Sequence, residues 1–271
     1  MKFAICNEIY QHWKLEDIFT HARKVGYDAL EIAPFTLADS VLDLSATERQ
    51  RIRALAAQYQ MEIAGLHWLL VRPEGLYLNH PEAALRTETA NYFVALVDCC
   101  ADLDGKVLVV GSPKQRNILP GVSADQAREW ATATFRDAVK RAEDRQVTIC
   151  FEPLSPVETN FINTAAEAIE FVQPFRSAAF KIILDVKAMS SEAKPIPQII
   201  RESWPHFAHF HANDKNLKGP GFGTVDFKPI AAALREVGYA GYVSVEVFNF
   251  EEGPEVIARQ SREYLRATFG A

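Results

Sequence analysis

Short runs rich in β-branched and apolar residues alternate with longer stretches whose apolar positions recur at helical spacing, from Lys2 almost to the end of the chain. The short runs predict strands at residues 2–6, 29–33, 62–66, 106–110, 147–152, 181–185, 208–211 and 242–246. Between them the periodicity predicts helices near residues 15–25, 45–59, 85–103, 123–145, 164–172, 196–202 and 228–237, with a closing helix at 254–268. Start and stop signals agree with this division. Ser45-x-x-Glu48 has the spacing of a capping box, Ser123 and Thr164 stand where N-caps belong, and Gly26 and Gly238 follow the last periodic residues of their helices.

Eight strands that alternate with helices, without a visible linker, predict one closed (β/α)8 barrel spanning residues 1–271 as a single α/β domain. An open dinucleotide-binding sheet would need fewer strands, and no G-x-G-x-x-G follows the first strand. A length of 271 residues with 48% hydrophobic content suits one large core. The formal net charge of −6 disfavours nucleic acid or an anionic membrane as partner. No apolar run approaches the ~20 residues that span a bilayer, and residues 1–10 lack a basic segment followed by a long apolar stretch. Cys6, Cys99, Cys100 and Cys150 include no C-x-x-C and read as reduced packing residues, so the cytoplasm is the expected compartment.

In a barrel of this kind the active site lies at the C-terminal ends of the strands. Those ends carry Glu31, His67, Gly111, Glu152, Asp185, His211 and Glu246. Any one acid there reads equally as a salt bridge or a loop cap. The last four are different, because they close four successive strands. Neighbouring strands lie ~4.8 Å apart, so Glu152, Asp185, His211 and Glu246 can converge near the barrel axis. Three carboxylates that close repel one another unless a cation neutralises them. Three oxygen donors and an imidazole suit one divalent ion: Mn²⁺ first, with Mg²⁺, Co²⁺ or Zn²⁺ as alternatives.

The segments Gly26-Tyr-Asp-Ala-Leu-Glu31, Gly65-Leu-His67, Phe151-Glu-Pro153, Leu184-Asp185, His209-Phe-His211 with Asp214, Gly219-Pro-Gly-Phe-Gly223 with Val225-Asp226, and Gly241-Tyr-Val-Ser-Val-Glu246 occur in a specific order and spacing. Together they resemble the sugar phosphate isomerase/epimerase group of xylose isomerase-like TIM barrels, which includes ketose 3-epimerases and inosose-processing enzymes. The resemblance covers essentially the whole chain. It implies that Glu152, Asp185, His211 and Glu246 hold one divalent ion, and that Glu152 and Glu246 also move protons on opposite faces of the substrate. It further implies a substrate contact at Glu158.

The chemistry is coherent on physical grounds too. A metal chelated by a carbonyl and an adjacent hydroxyl acidifies the α C–H and stabilises an enediolate, while a carboxylate on each face removes or returns the proton. Proton return to the same carbon gives epimerisation, return to its neighbour gives isomerisation, and loss of a β-substituent gives elimination. Ketose 3-epimerases carry a His three residues after the aspartate ligand and an Arg six residues after the histidine ligand; here those positions are Ala188 and Leu217. Lys187 and Lys218 lie nearby as substitutes for the missing polar contacts. Lys114 and Arg116, in the loop after the fourth strand, are candidates for hydrogen bonds to hydroxyls or an anion. His67 is a candidate for orienting substrate, and Trp13, Phe35 and Trp68 for an apolar wall against a sugar ring or another subunit.

The leading expectation is therefore an isomerase or epimerase of a ketose, keto-sugar or cyclitol, in a homo-oligomer of two or four chains. A metal-dependent lyase or dehydratase acting on an inosose or 3-keto-glycoside is the rival. Endonuclease IV-like DNA repair shares the barrel but needs more histidine ligands and a basic groove. A non-catalytic sugar-binding protein would not require two proton-transfer groups.

Overall fold

The computed structural model describes residues 1–270. Eight parallel strands close into a barrel in chain order: β1 (Lys2–Cys6), β2 (Ala29–Ile32), β3 (Glu62–Leu66), β4 (Val107–Val110), β5 (Thr148–Phe151), β6 (Phe180–Asp185), β7 (Phe207–Ala212) and β8 (Tyr242–Val245), with β8 pairing back onto β1. Helices α1 (Leu15–Val25), α2 (Ala46–Gln58), α3 (Ala83–Asp102), α4 (Ala124–Arg145), α5 (Ala165–Val172), α6 (Val186–Met189), α7 (Ile196–Ser203), α8 (Phe227–Glu236) and α9 (Pro254–Phe269) connect and follow them.

The local signals act as their chemistry requires. Ser45 and Glu48 form the reciprocal capping box at the start of α2, and Thr164 forms one with Glu167 at the start of α5. Gly26 takes a φ of 101°, which lets its N–H close the last turn of α1 onto the Ala22 and Arg23 carbonyls. The short helix α6 departs from the expected elements. It forms because the Asp185 carboxylate accepts a hydrogen bond from the Ala188 N–H at 2.7 Å and so caps a single turn directly after β6.

Period-two alternation sorts each strand into an outer and an inner set. The outer set packs against the helices. There Phe93, Phe135, Phe151, Phe171 and Phe180 form an aromatic cluster with centroid separations of 4.8 Å (Phe93–Phe135), 5.0 Å (Phe135–Phe180) and 4.9 Å (Phe151–Phe171). This cluster clamps β5 and β6, the strands that end at Glu152 and Asp185. Inside the barrel, Ala4, Ala29 and Ala64 form one small apolar group, and Val107, Val109, Cys150 and Ile183 another. The polar residues at the strand ends stand on this plug.

Gly65 marks the tightest approach between strands. A Cβ there would run into the Val107 carbonyl and side chain on β4. Gly65→Ala is expected to lower unfolding stability by about 1–3 kcal/mol or more, as overpacking does. Denaturant titration of the purified variant checks this, and an unchanged midpoint would contradict the close β3–β4 contact.

Candidate metal centre

Strand register brings the four strand-end residues together. Asp185 pairs with His211 across β6 and β7, while Glu152 and Glu246 each stand one residue beyond their strands. One donor atom from each of Glu152, Asp185, His211 and Glu246 lies within 4.8 Å of the others, and all four residues are buried. Gly111, at the end of β4, makes room for this group, because a Cβ there would collide with the Glu152 carboxylate.

His211, Glu246 and Asp185 are each held from behind. Glu31 Oε1 lies 3.1 Å from His211 Nε2, and Glu31 Oε2 lies 2.8 Å from His209 Nε2. Glu31 belongs to β2 and the two histidines to β7, so this contact crosses the barrel interior. A carboxylate acceptor at Nε2 keeps a proton on that nitrogen, so Nδ1 is the atom left to serve as a donor once its own proton is given up. Nδ1 stands 3.0 Å from Glu246 Oε2. Both atoms are buried, and neither has a hydrogen-bond partner. Two donors on one ion at ~2.1 Å are about 3 Å apart, so this orphaned pair fits ligation. Two other oxygens of the cluster are already occupied: Glu246 Oε1 accepts from the Trp68 indole at 2.8 Å, and Asp185 Oδ2 accepts from Asn213 Nδ2 at 2.5 Å.

The charges divide unevenly. Burial, followed by the Glu246 and Asp185 charges, pushes Glu152 well above the usual carboxylate range. Burial likewise raises Asp185, against the pull of Lys187. Burial would raise Glu246 too, but His211 outweighs it and holds that carboxyl at about 2. Glu31 behaves similarly: the attraction of His209 and His211 overcomes its desolvation and keeps it well below the ordinary value.

The other sequence candidates separate into two groups. Lys187, Glu158 and Lys114 line a cavity of about 520 Å³ whose walls also include Glu152, Glu246 and Trp68. Lys187 Nζ pairs with Glu158 Oε1 at 2.6 Å and lies 3.9 Å from the Phe248 ring centroid. Arg116, His67 and Lys218 are not on that wall. The Arg116 guanidinium is buried 4.8 Å from the Phe151 ring centroid, and burial lowers its pKa to about 10. His67 is buried and bonded through Nε2 to Glu8 Oε2 at 2.7 Å. Lys218 is drawn away by ion pairs with Glu252 and Glu251. Sequence reasoning gave no role to Glu8 or Asn213, placed Glu31 only among the strand-end residues, and took Trp68 for an apolar wall and not for a donor to Glu246. Trp68 adopts a φ of 53°, uncommon for a bulky residue, and this bend accompanies the indole's bond to Glu246.

Residues 19–268 match the family described as xylose isomerase-like TIM barrel. The chain belongs to that family. Among its curated relatives is a D-psicose 3-epimerase of Enterocloster bolteae, 28% identical, with the match covering 93% of this chain and 84% of the relative. A 3-dehydro-D-guloside 4-epimerase of Escherichia coli strain K12 is 23% identical, over 98% and 99% of the two chains. A crystal structure of D-psicose 3-epimerase determined in the presence of D-fructose superposes with a TM-score of 0.88 at 22% identity, covering 100% of both chains, and shows the shared fold. No helix among the described residues is long and apolar enough to cross a membrane.

Within this xylose isomerase-like barrel, Ala188 and Leu217 contribute backbone rather than side-chain polarity. The Ala188 N–H caps onto Asp185, and the Leu217 carbonyl accepts from the Phe248 and Asn249 N–H groups. Ligation requires deprotonated carboxylates, and Glu152 and Asp185 hold their protons more tightly than usual. Mn²⁺ uptake is therefore expected to release protons and to weaken as pH falls, which calorimetry in buffers of different ionisation heat measures; pH-independent uptake would contradict it. Glu31→Gln, which removes the carboxylate behind His211, is expected to weaken Mn²⁺ binding about 10–100-fold in the same titration.

Proposed function

We propose that this chain is a divalent-metal-dependent sugar epimerase or isomerase that moves a proton at the carbon beside a carbonyl. The observation that carries this reading is the pairing of Glu152 and Glu246. Both line one cavity and both belong to the four-residue donor cluster. Two carboxyl groups that face one cavity from separate strands, β5 and β8, suit opposite halves of a proton transfer.

A divalent cation held by Glu152, Asp185, His211 and Glu246, Mn²⁺ first, would supply Lewis acidity to the carbonyl and an adjacent hydroxyl. Glu152 takes or returns the proton on one face, and Glu246, steadied by the Trp68 indole, does so on the other. Lys187 and Glu158 offer a donor and an acceptor to the substrate hydroxyls. The stacked Trp68 and Phe248 rings, 6.1 Å apart, give the cavity an apolar wall that limits water near the exchanging proton. The epimerase names of the curated relatives support the reaction class. Four buried free cysteines support a reducing compartment, the cytoplasm.

Elimination from an inosose or 3-keto-glycoside is the second reading. The apolar side chains at Ala188 and Leu217 favour such a substrate over a simple free ketose, and the relative named 3-dehydro-D-guloside 4-epimerase supports the substrate class though its own name is that of an epimerase. Incubation of the Mn²⁺-loaded protein with ketoses, inososes and 3-keto-glycosides in deuterated water tests the proposal. One solvent deuterium in an otherwise unchanged skeleton is expected, and Glu152→Gln should slow its entry at least ~10²-fold. A product lighter by water or aglycone would establish elimination, and full exchange by the Gln variant would overturn the assigned role of Glu152.

A further inference from the structure

Away from the donor cluster, on the outer wall of the barrel, α1 and α9 border a cavity of about 490 Å³. None of its lining residues belongs to the proposed catalytic cavity. Four of them are cations, Lys24 from α1 and Arg259, Arg262 and Arg266 from α9, in a chain whose formal net charge is −6. Two are carboxylates, Glu255 and Glu263. Among the described residues, Arg259 is the one member of the four with an ion-pair partner, Glu263 at 3.8 Å. Glu255 stands in the first turn of α9, about two turns before Arg262. The groove therefore holds three cations without a counter-charge beside them.

Arg262 is the fixed point of the three. Its Nε donates to the Gly26 carbonyl at 2.8 Å, its guanidinium carbon lies 4.4 Å from the Phe3 ring centroid, and its Nη1 is buried without a hydrogen-bond partner. These contacts orient the guanidinium plane before any ligand arrives, which reduces the ordering cost of binding. They also occupy the Gly26 carbonyl, one of the groups at the end of α1 that would repel an anion. Burial lowers the proton affinity of Arg262; Tyr27 and Asp28 oppose this, and the charge of Arg266 adds to it. Arg262 and Arg266 are four residues apart on one face of α9, so their charges repel, and an anion between them and Lys24 relieves that repulsion.

We infer that this groove binds a dianionic phosphoryl group, held by Lys24, Arg262 and Arg266. Two guanidinium groups and an ammonium match the charge and the several acceptor oxygens of a phosphate better than those of a single carboxylate. The volume lies in the ~300–1,000 Å³ range of small-molecule sites and leaves room for the organic part of a small phosphomonoester. His21, which also lines the groove, has its Nδ1 3.1 Å from the Tyr10 hydroxyl and so keeps Nε2 for a hydroxyl of that part. The site stands apart from the reaction proposed for the donor cluster, and either can fail alone.

Calorimetric titration of the protein carrying one equivalent of Mn²⁺ with inorganic phosphate, glucose 6-phosphate and glucose tests the site. Both phosphorylated ligands should bind, and glucose should not compete with phosphate. Lys24→Glu and Arg266→Glu should each weaken phosphate at least about tenfold, the loss of one charge-assisted hydrogen bond. Arg262→Gln should weaken it as much. That variant also gives up the Gly26 contact and could disturb folding; Lys24 and Arg266 are exposed, so their variants keep the test decisive. Glucose 6-phosphate bound tighter than phosphate would make a small phosphomonoester the occupant, and equal affinities would make it free phosphate. Phosphate binding that survives both Lys24→Glu and Arg266→Glu, as an anion on the Mn²⁺ ion would, or no binding of either phosphorylated ligand, would overturn the site.

Discussion

Three carboxylates and an imidazole forced together at the buried end of a parallel barrel set the terms for everything around them. Left to themselves, Glu152, Asp185 and Glu246 repel strongly in a low-dielectric setting. Burial and the neighbouring carboxylates accordingly push Glu152 and Asp185 above the usual carboxylate range. The neighbouring structure serves to hold the conflict in place: Gly111 gives Glu152 room, Asn213 and the Ala188 N–H fix Asp185, Trp68 fixes Glu246, and Glu31 fixes His211. Outside the strands, the phenylalanine cluster stops β5 and β6 from relaxing away.

The cluster is therefore better described as two layers than as four ligands. Facing the cavity are the donors, and behind them is a cross-barrel network in which Glu31 joins His209 to His211 while Glu8 joins His67. The second layer decides which nitrogen of His211 is free, and thereby whether the imidazole can serve as a donor at all. Pairing of Glu31 with two histidines also lets this buried carboxylate remain ionised without water.

Much of the barrel and of the donor set was legible in the sequence because both depend on local rules. Period-two strands end where Glu152, Asp185, His211 and Glu246 stand, and adjacent strands put those ends side by side. The chain positions of the caps at Ser45, Ser123 and Thr164 were readable for the same reason. Contacts between non-neighbouring strands were not. Nothing near Glu31 in the chain indicates that it meets β7 across the barrel, nor does anything near Trp68 show that its backbone turns to a positive φ and lays the indole on Glu246. The loop residues show the same limit. Lys187, Lys114 and Glu158 reach the cavity, whereas Arg116 folds under onto Phe151 and Lys218 turns to Glu252; all five are polar residues in loops or at helix starts, and only packing distinguishes them.

The central claim is one ion at one place, although other buried groups on the barrel axis offer donors of similar chemistry: Glu31 with His209 and His211, and Cys6 with Glu31 and His67. Anomalous diffraction at the manganese edge from crystals of the Mn²⁺-loaded protein distinguishes them directly. A single peak among Glu152, Asp185, His211 and Glu246, with His211 bound through Nδ1, is the expected result. A peak at Glu31 and His209, a second peak of equal height, or no peak at all would contradict it.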